Sequence, residues 1–200
     1  MPQTDTALSE GHFSVPLGHL AVVVTHLICR TASPARAVPD GISLFPELSM
    51  SPDAYRRLFT LIGRDWLWTS RLMLDDDALA AVLRNPDVAL HTVRAGRGTL
   101  GMLELDLTDR AVPQISFFGL TPDATGRGIG AWLMAHVQAM LFDGGAQAIR
   151  LNTCTLDSPH ALRFYLGAGF EAERREVRVF PDPRALGLLD AAAAPHVPRI

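Results

Sequence analysis

The sequence predicts an α/β domain of the α+β kind, a mixed, largely antiparallel sheet flanked by helices, and three observations carry that reading. Three period-two segments follow one another between Val88 and Leu120, separated only by short turns. A glycine-rich turn then opens a run at helical spacing, Ile129, Trp132, Leu133, His136, Val137, Met140 and Leu141. Strand, helix and strand signals alternate after it as far as Phe180. With 200 residues, 48% of them hydrophobic, the chain can bury one core and is too apolar for bulk disorder.

Residues 1–18 read as a lead-in, 19–180 as a single domain and 181–200 as a tail. Leu20 to Thr25 is a β-branched apolar run and the first strand, followed by an irregular Pro-, Ala- and Gly-containing stretch from Thr31 to Pro46. Ser51 then caps a helix with Pro52 at its first position and Tyr55, Leu58, Phe59 and Ile62 on one face. The segment Asp65-Trp66-Leu67-Trp68 leads to Arg71, and Asp75 to Asp77 suit the N-terminal dipole of a second helix, which Asn85-Pro86 stops. Val88 to Arg94, a turn at Gly96-Arg97-Gly98 and Leu100 to Thr108 make a hairpin, and Ala111 to Leu120 extends it to a meander. Gly144-Gly145 closes the long helix. Ala148 to Thr155 is a strand, Ser158 to Ala168 a helix and Phe170 to Phe180 a charged last strand, so the order is β-α-α-β-β-β-α-β-α-β.

A formal net charge of −3 and 18 basic residues, all Arg and dispersed, argue against nucleic acid or a membrane surface as partner. The uncharged stretch Gly11 to Cys29 holds three His, Pro16, Ser14 and Thr25, which fits a strand and its lead-in better than a membrane span. Two cysteines, Cys29 and Cys154, without a secretory leader pattern are expected to be reduced thiols of a cytoplasmic protein, and no metal-ligand spacing occurs. Arg without Lys fits the composition of a GC-rich bacterial genome.

The chemistry-bearing segment is Thr125-Gly126-Arg127-Gly128-Ile129-Gly130. Bare backbone N–H groups there, with the positive end of the helix dipole, suit a phosphate, and glycines let the backbone approach it at positive φ. On the turn alone, a ligand-free connection is an equal reading. No Lys-Ser/Thr follows, so it is not a Walker loop, and the antiparallel meander before it excludes a Rossmann unit.

Phe117-Phe118-Gly119-Leu120-Thr121-Pro122 running into Thr125 to Ala131, with Ala161-Leu162-Arg163-Phe164-Tyr165 and Gly169-Phe170 further on, resembles the GNAT superfamily of acyl-CoA-dependent N-acetyltransferases. Both blocks stand in the family's order and spacing, and the likeness covers Val88 to Phe180. Before Val88 only the element order is similar. Thr125 stands where the family usually has Gln or Arg, and Ser158 where an Asn often begins the later block.

The resemblance implies acetyl-CoA as co-substrate, no metal, and direct attack by a primary amine on the thioester within a ternary complex. The cofactor would lie in a V-shaped gap between the third meander strand and the strand after the long helix. Phe118, Gly119 and Leu120 would meet the thioester and pantetheine, Thr125, Gly126, Arg127, Gly128, Ile129, Gly130 and Ala131 the pyrophosphate, and Ser158 would open the second block. Tyr165 occupies the position of the acid for the departing sulfur.

Along the second meander strand, Leu103, Leu105 and Leu107 share one face and Met102, Glu104 and Asp106 the other. Family members often place a Glu base in this neighbourhood, which makes Glu104 the expected base and His91, one strand out, its rival. Trp66, Trp68 and Arg71 lie where relatives build the acceptor pocket, for a small-molecule or peptide amine. A monomer or homodimer is expected. Cys154, Asp157 and His160 make a poor nucleophile triad, since Cys154 sits inside an apolar strand. The reading from another class is a non-catalytic acyl-CoA sensor, which would need the cradle but neither Glu104 nor Tyr165.

Overall fold

The computed structural model describes residues 8–199; the first seven residues of the expected lead-in and the last residue of the tail lie outside them. Strands β1 (His19–Cys29) and β2 (Ile42–Pro46) precede helices α1 (Pro52–Gly63) and α2 (Asp76–Arg84). Then come β3 (Val88–Ala95), β4 (Gly98–Asp106), β5 (Gln114–Leu120), α3 (Ile129–Asp143), β6 (Ile149–Cys154), α4 (Ala161–Gly167) and β7 (Glu171–Pro181). One seven-stranded sheet runs β2-β3-β4-β5-β6-β1-β7, antiparallel throughout except between β5 and β6.

The helix starts follow from capping. Ser51 Oγ accepts from the Ala54 N–H at 3.3 Å at the head of α1, and Asp75 Oδ1 from the Ala78 N–H at 2.8 Å at the head of α2. The alternation along β4 sorts as expected. Leu103 and Leu105 pack with Leu133, Met134 and Val137 of α3, while Met102 joins Tyr55, Phe59 and Leu79 under α1 and α2. Helix α3 is buried around more of its girth than one stripe, since Met134, Ala135 and Gln138 are enclosed as well. Gln138 is satisfied by the Ser33 N–H at 3.0 Å and the Ala168 carbonyl at 2.8 Å, which ties the segment after β1 and the end of α4 to α3.

Two features, β2 and the start of α4, differ from the sequence reading, and two more lie beyond it. The run expected to be irregular from Thr31 contains β2, a five-residue edge strand paired with β3 from Ile42↔Ala95 to Pro46↔His91. Its Pro46 end and its brevity hide it from a pattern of alternation. Strand β1, first in the chain, lies between the two last strands, pairing with β6 and β7. Helix α4 begins at Ala161, not at Ser158; Ser158 Oγ instead accepts from the His160 N–H at 3.3 Å in the turn ahead of it. The segment after β7 is irregular but packed: Leu189, Ala193 and Ala194 are buried with Val22, Val24, Leu67 and Leu156. It is pinned by Arg184, whose guanidinium donates to Asp182 at 2.7 Å and to the Val197 carbonyl at 2.9 Å. No helix among the described residues is long and apolar enough to cross a membrane.

Candidate active site

The site starts where two parallel strands part. Strands β5 and β6 pair only at Gln114↔Arg150 and Ile115↔Leu151, so from Ser116 and from Asn152 onward their facing edges have no ladder partner. The gap opens into a cleft of about 470 Å³ whose floor and walls include His26, Trp66, Trp68, Arg71, Phe118 and Tyr165. Gly119 stands on β5 beside it. A Cβ there would lie 2.4 Å from Ile62 Cγ2 and 3.0 Å from Trp68, so the strand passes under α1 and the Trp68 ring only because the position is glycine.

At the far end of β5 the chain turns through Pro122–Ala124 into the cradle. Gly126 and Gly128 take φ of +74° and +77°, and Gly128 caps α3 in the left-handed region with no side chain bonded to the helix start. No atom lies within 4 Å of a Cβ built on either, and no side chain caps the first N–H groups of α3. Leu120 and Gly130 approach one another, the Leu120 Cδ1 lying 3.7 Å from a Cβ on Gly130. Ile129 is core, not lining, and Arg127 is exposed. The Thr125 hydroxyl donates to the Pro122 carbonyl at 2.7 Å, so its proton is spent within the turn. Ala131 lines a second hollow of about 480 Å³ between α3 and α4, with Arg36, His160 and Arg163 on its rim.

Tyr165 projects from α4 into the cleft among Phe118, Phe164 and Phe170. Burial, and secondarily the Asp157 carboxylate, push its hydroxyl well above the ordinary phenol range, so it keeps its proton at working pH. Ser158, Phe118 and Gly119 line the same cleft.

Glu104 requires a correction. Its carboxylate is fully buried under α1, accepts from the Tyr55 hydroxyl and is paired with Arg71, whose Nη2 stands 2.6 Å and Nε 3.2 Å from Oε1. Glu104 does not line the cleft; Arg71 does, with its guanidinium 5.4 Å from the centre of the Phe117 ring. Both carboxylate oxygens are occupied, so the geometry gives Glu104 the task of holding Arg71 and removes it as the group that meets the substrate. The rival base His91 faces the other side of the sheet. Burial, then the neighbouring His136, hold its imidazole below the ordinary range.

Of the acceptor-side residues, Trp66 packs against His196 of the C-terminal segment, the rings tilted at 5.6 Å, and Trp68 packs on Phe59 and Phe117 at 5.5 and 5.1 Å. Cys154 lines the cleft, but burial pushes its thiol up. Asp157 is engaged by the Thr153 hydroxyl at 2.6 Å and the Cys154 N–H at 2.8 Å, which leaves no activated nucleophile.

Residues 55–170, more than half of the chain, match the model of the acetyltransferase (GNAT) family. The chain belongs to that family. Among solved structures, a conserved protein of unknown function from Staphylococcus epidermidis is similar with a TM-score of 0.61 at 16% identity, over 82% of this chain and 63% of that one. A GNAT-family protein from Novosphingobium aromaticivorans gives 0.57 at 18% identity, over 84% and 69%. A GCN5-related N-acetyltransferase from Sphaerobacter thermophilus gives 0.59 at 17%, over 82% and 53%. The chain therefore spans from about half to about two thirds of the length of these structures, which share its fold. No curated protein matches.

Within the GNAT frame, the cleft also holds groups that sequence patterns did not single out. Tyr55 read as an apolar helix position, yet its hydroxyl serves Glu104. His26 and Glu176, on β1 and β7, line the cleft 3.2 Å apart. The one signal for His26 was an ionisable residue inside an apolar strand; Glu176 was one charge among six on the last strand.

Proposed function

We propose that the chain transfers an acetyl group from acetyl-CoA to a primary amine, by direct attack in a ternary complex. The observation that carries the reading is the parting of β5 from β6 directly ahead of the left-handed Gly126 and Gly128 at the head of α3. The residues fit the co-substrate. The edge of β5 that faces β6 from Phe118 to Leu120 suits the thioester and pantetheine arm, and the uncapped N–H groups after Gly126 and Gly128 suit the pyrophosphate. The hollow rimmed by Arg36, His160 and Arg163 extends from there and suits the phosphorylated nucleoside end. Bound acetyl-CoA supplies an activated acyl group whose sulfur leaves as the amide forms.

Tyr165 keeps its proton in the cleft and donates it where charge gathers on the departing sulfur. Trp66 and Trp68 form the apolar side of the acceptor pocket, and Arg71, kept charged by Glu104, its polar side. The test is a panel of primary amines with acetyl-CoA, read as free thiol release, beside a calorimetric titration of CoA. Binding together with amine-dependent thiol release supports the reading; binding without release on any amine would turn it toward an acyl-CoA sensor.

A further inference from the structure

We infer that His26, backed by Glu176, is the group that takes the proton from the incoming amine. The inference rests on the acetyltransfer reading and supplies the base that Glu104, sealed under α1, does not. His26 lies on β1 opposite Asn152 of β6, the first residue past the point where β5 and β6 part, so it stands at the throat of the gap. Glu176 on β7 is paired with Val24 on β1, two residues along the same face, which brings its Oε1 to 3.2 Å from His26 Nε2. Both side chains line the cleft, with 23% and 31% of their surface exposed.

Nε2 is otherwise buried and lies off the axis of a hydrogen bond to Glu176. No described residue takes up Nδ1. With Nε2 turned to Glu176, Nδ1 is the nitrogen left to take the proton; among the described residues the other orphaned imidazole nitrogen, His91 Nδ1, lies on the opposite face of the sheet. The other charged or titratable groups around the pair are Arg174 and Arg178 from β7, Cys154 at the end of β6 and Asp157 beyond it, Tyr165 from α4 and Arg71 across the cleft. Arg174, then His26, hold the Glu176 carboxyl below its usual range, so it remains a carboxylate beside the imidazole.

The proton balance closes with these groups. His26 takes one proton from the ammonium and later returns it to solvent. The freed nitrogen pair forms the bond to the thioester carbon, and the carbon–sulfur pair leaves with sulfur. Tyr165 protonates the sulfur and is restored by the second proton that the nitrogen sheds as it becomes an amide.

The experiment compares wild type, His26→Gln and Glu176→Gln in three readouts: acetyl-CoA titration by calorimetry, thiol release, and the His26 imidazole resonance followed against pH by NMR. Both variants should bind acetyl-CoA within about twofold of wild type. With a primary alkylamine at about neutral pH, His26→Gln should lose on the order of 10²-fold in kcat/KM and Glu176→Gln about tenfold, with the acidic limb of the Glu176→Gln profile moved to lower pH. The His26 resonance should titrate at lower pH in Glu176→Gln, because a favourable negative charge has gone. With an O-alkylhydroxylamine, which is already unprotonated, His26→Gln should recover most of its loss; a purely structural histidine would depress both nucleophiles alike.

Equal losses on both nucleophiles, a wild-type pH profile in His26→Gln, or a His26 resonance indifferent to Glu176 would overturn the inference while leaving acetyl transfer intact. A wild type that binds no acetyl-CoA and releases thiol with no amine would remove the parent reading and this one together.

Discussion

On the β5 and α3 side of the cleft the proposed chemistry falls to backbone, at Phe118 to Leu120 and at the left-handed Gly126 and Gly128, whereas on the β1 and β7 side it falls to side chains. Those side chains are set by partners far away in the chain: Arg71 by Glu104, Glu104 by Tyr55, Trp66 by His196, His26 by Glu176. A backbone site needs glycines at fixed spacing and tolerates drift elsewhere, so it suits a moiety common to a whole family. A side-chain site changes with any one of its partners, so it suits the half of the reaction in which family members differ.

The largest expected effects come from the pairs that hold the side-chain half. Removing one member of a buried ion pair leaves the other charge without its partner. Glu104→Ala, which strands Arg71 and Tyr55, and Asp182→Ala, which strands the buried Arg184, should each cost about 3 kcal/mol or more. That corresponds to a fall in Tm of roughly 10 °C for a chain of this size. Calorimetric scans check both. If either variant melts with wild type, that part of the cleft wall does not depend on the pair.

Next in size is Tyr165→Phe. In the proposed reaction the hydroxyl matters only as charge builds on sulfur, so kcat should drop on the order of 10²-fold while acetyl-CoA affinity and Tm stay near wild type. Wild-type turnover in Tyr165→Phe would reduce the residue to packing among Phe118, Phe164 and Phe170.

A smaller effect separates the C-terminal segment from the rest. Hydrogen bonds from Arg184 hold the Asp182 carboxyl below its usual range. A depressed carboxyl pKa stabilises the fold above the unfolded value, near 3.9 for Asp, and that stability is lost as pH falls through the folded value. Tryptic cleavage after Arg184 should therefore be slow at neutral pH and become fast in Asp182→Asn. The smallest effect belongs to Arg64→Ala, since the exposed bonds of Arg64 to Asp190 at 2.7 and 2.8 Å are solvent-screened and their loss should leave Tm nearly unchanged.

What the sequence disclosed follows the same division. The glycine turn, the meander and α3 are local patterns, and each stands in the fold where its residues placed it, including the opposite faces of Leu103 and Glu104. The insertion of β1 between β6 and β7 is a long-range pairing that no local pattern encodes. It is also what brings His26 to Asn152 and Glu176. Glu104 was legible as a carboxylate on the leucine-free face of its strand. That the face would be roofed by α1, with Tyr55 and Arg71 closing on it, depends on packing between elements distant in sequence.

Calorimetric titration of CoA into wild type, Gly128→Val and Gly130→Ala tests most directly the proposed backbone cradle for the pyrophosphate of acetyl-CoA. Gly128 sits at φ +77°, where a β-branched residue is strained and pushes the first N–H groups of α3 aside, while a Cβ on Gly130 meets nothing nearer than 3.7 Å. Gly128→Val should raise the Kd at least about tenfold, a loss of about 1.4 kcal/mol, in a protein that stays folded, and Gly130→Ala should change it little. A folded Gly128→Val that binds CoA as wild type does would contradict the cradle and, with it, the assignment of the co-substrate.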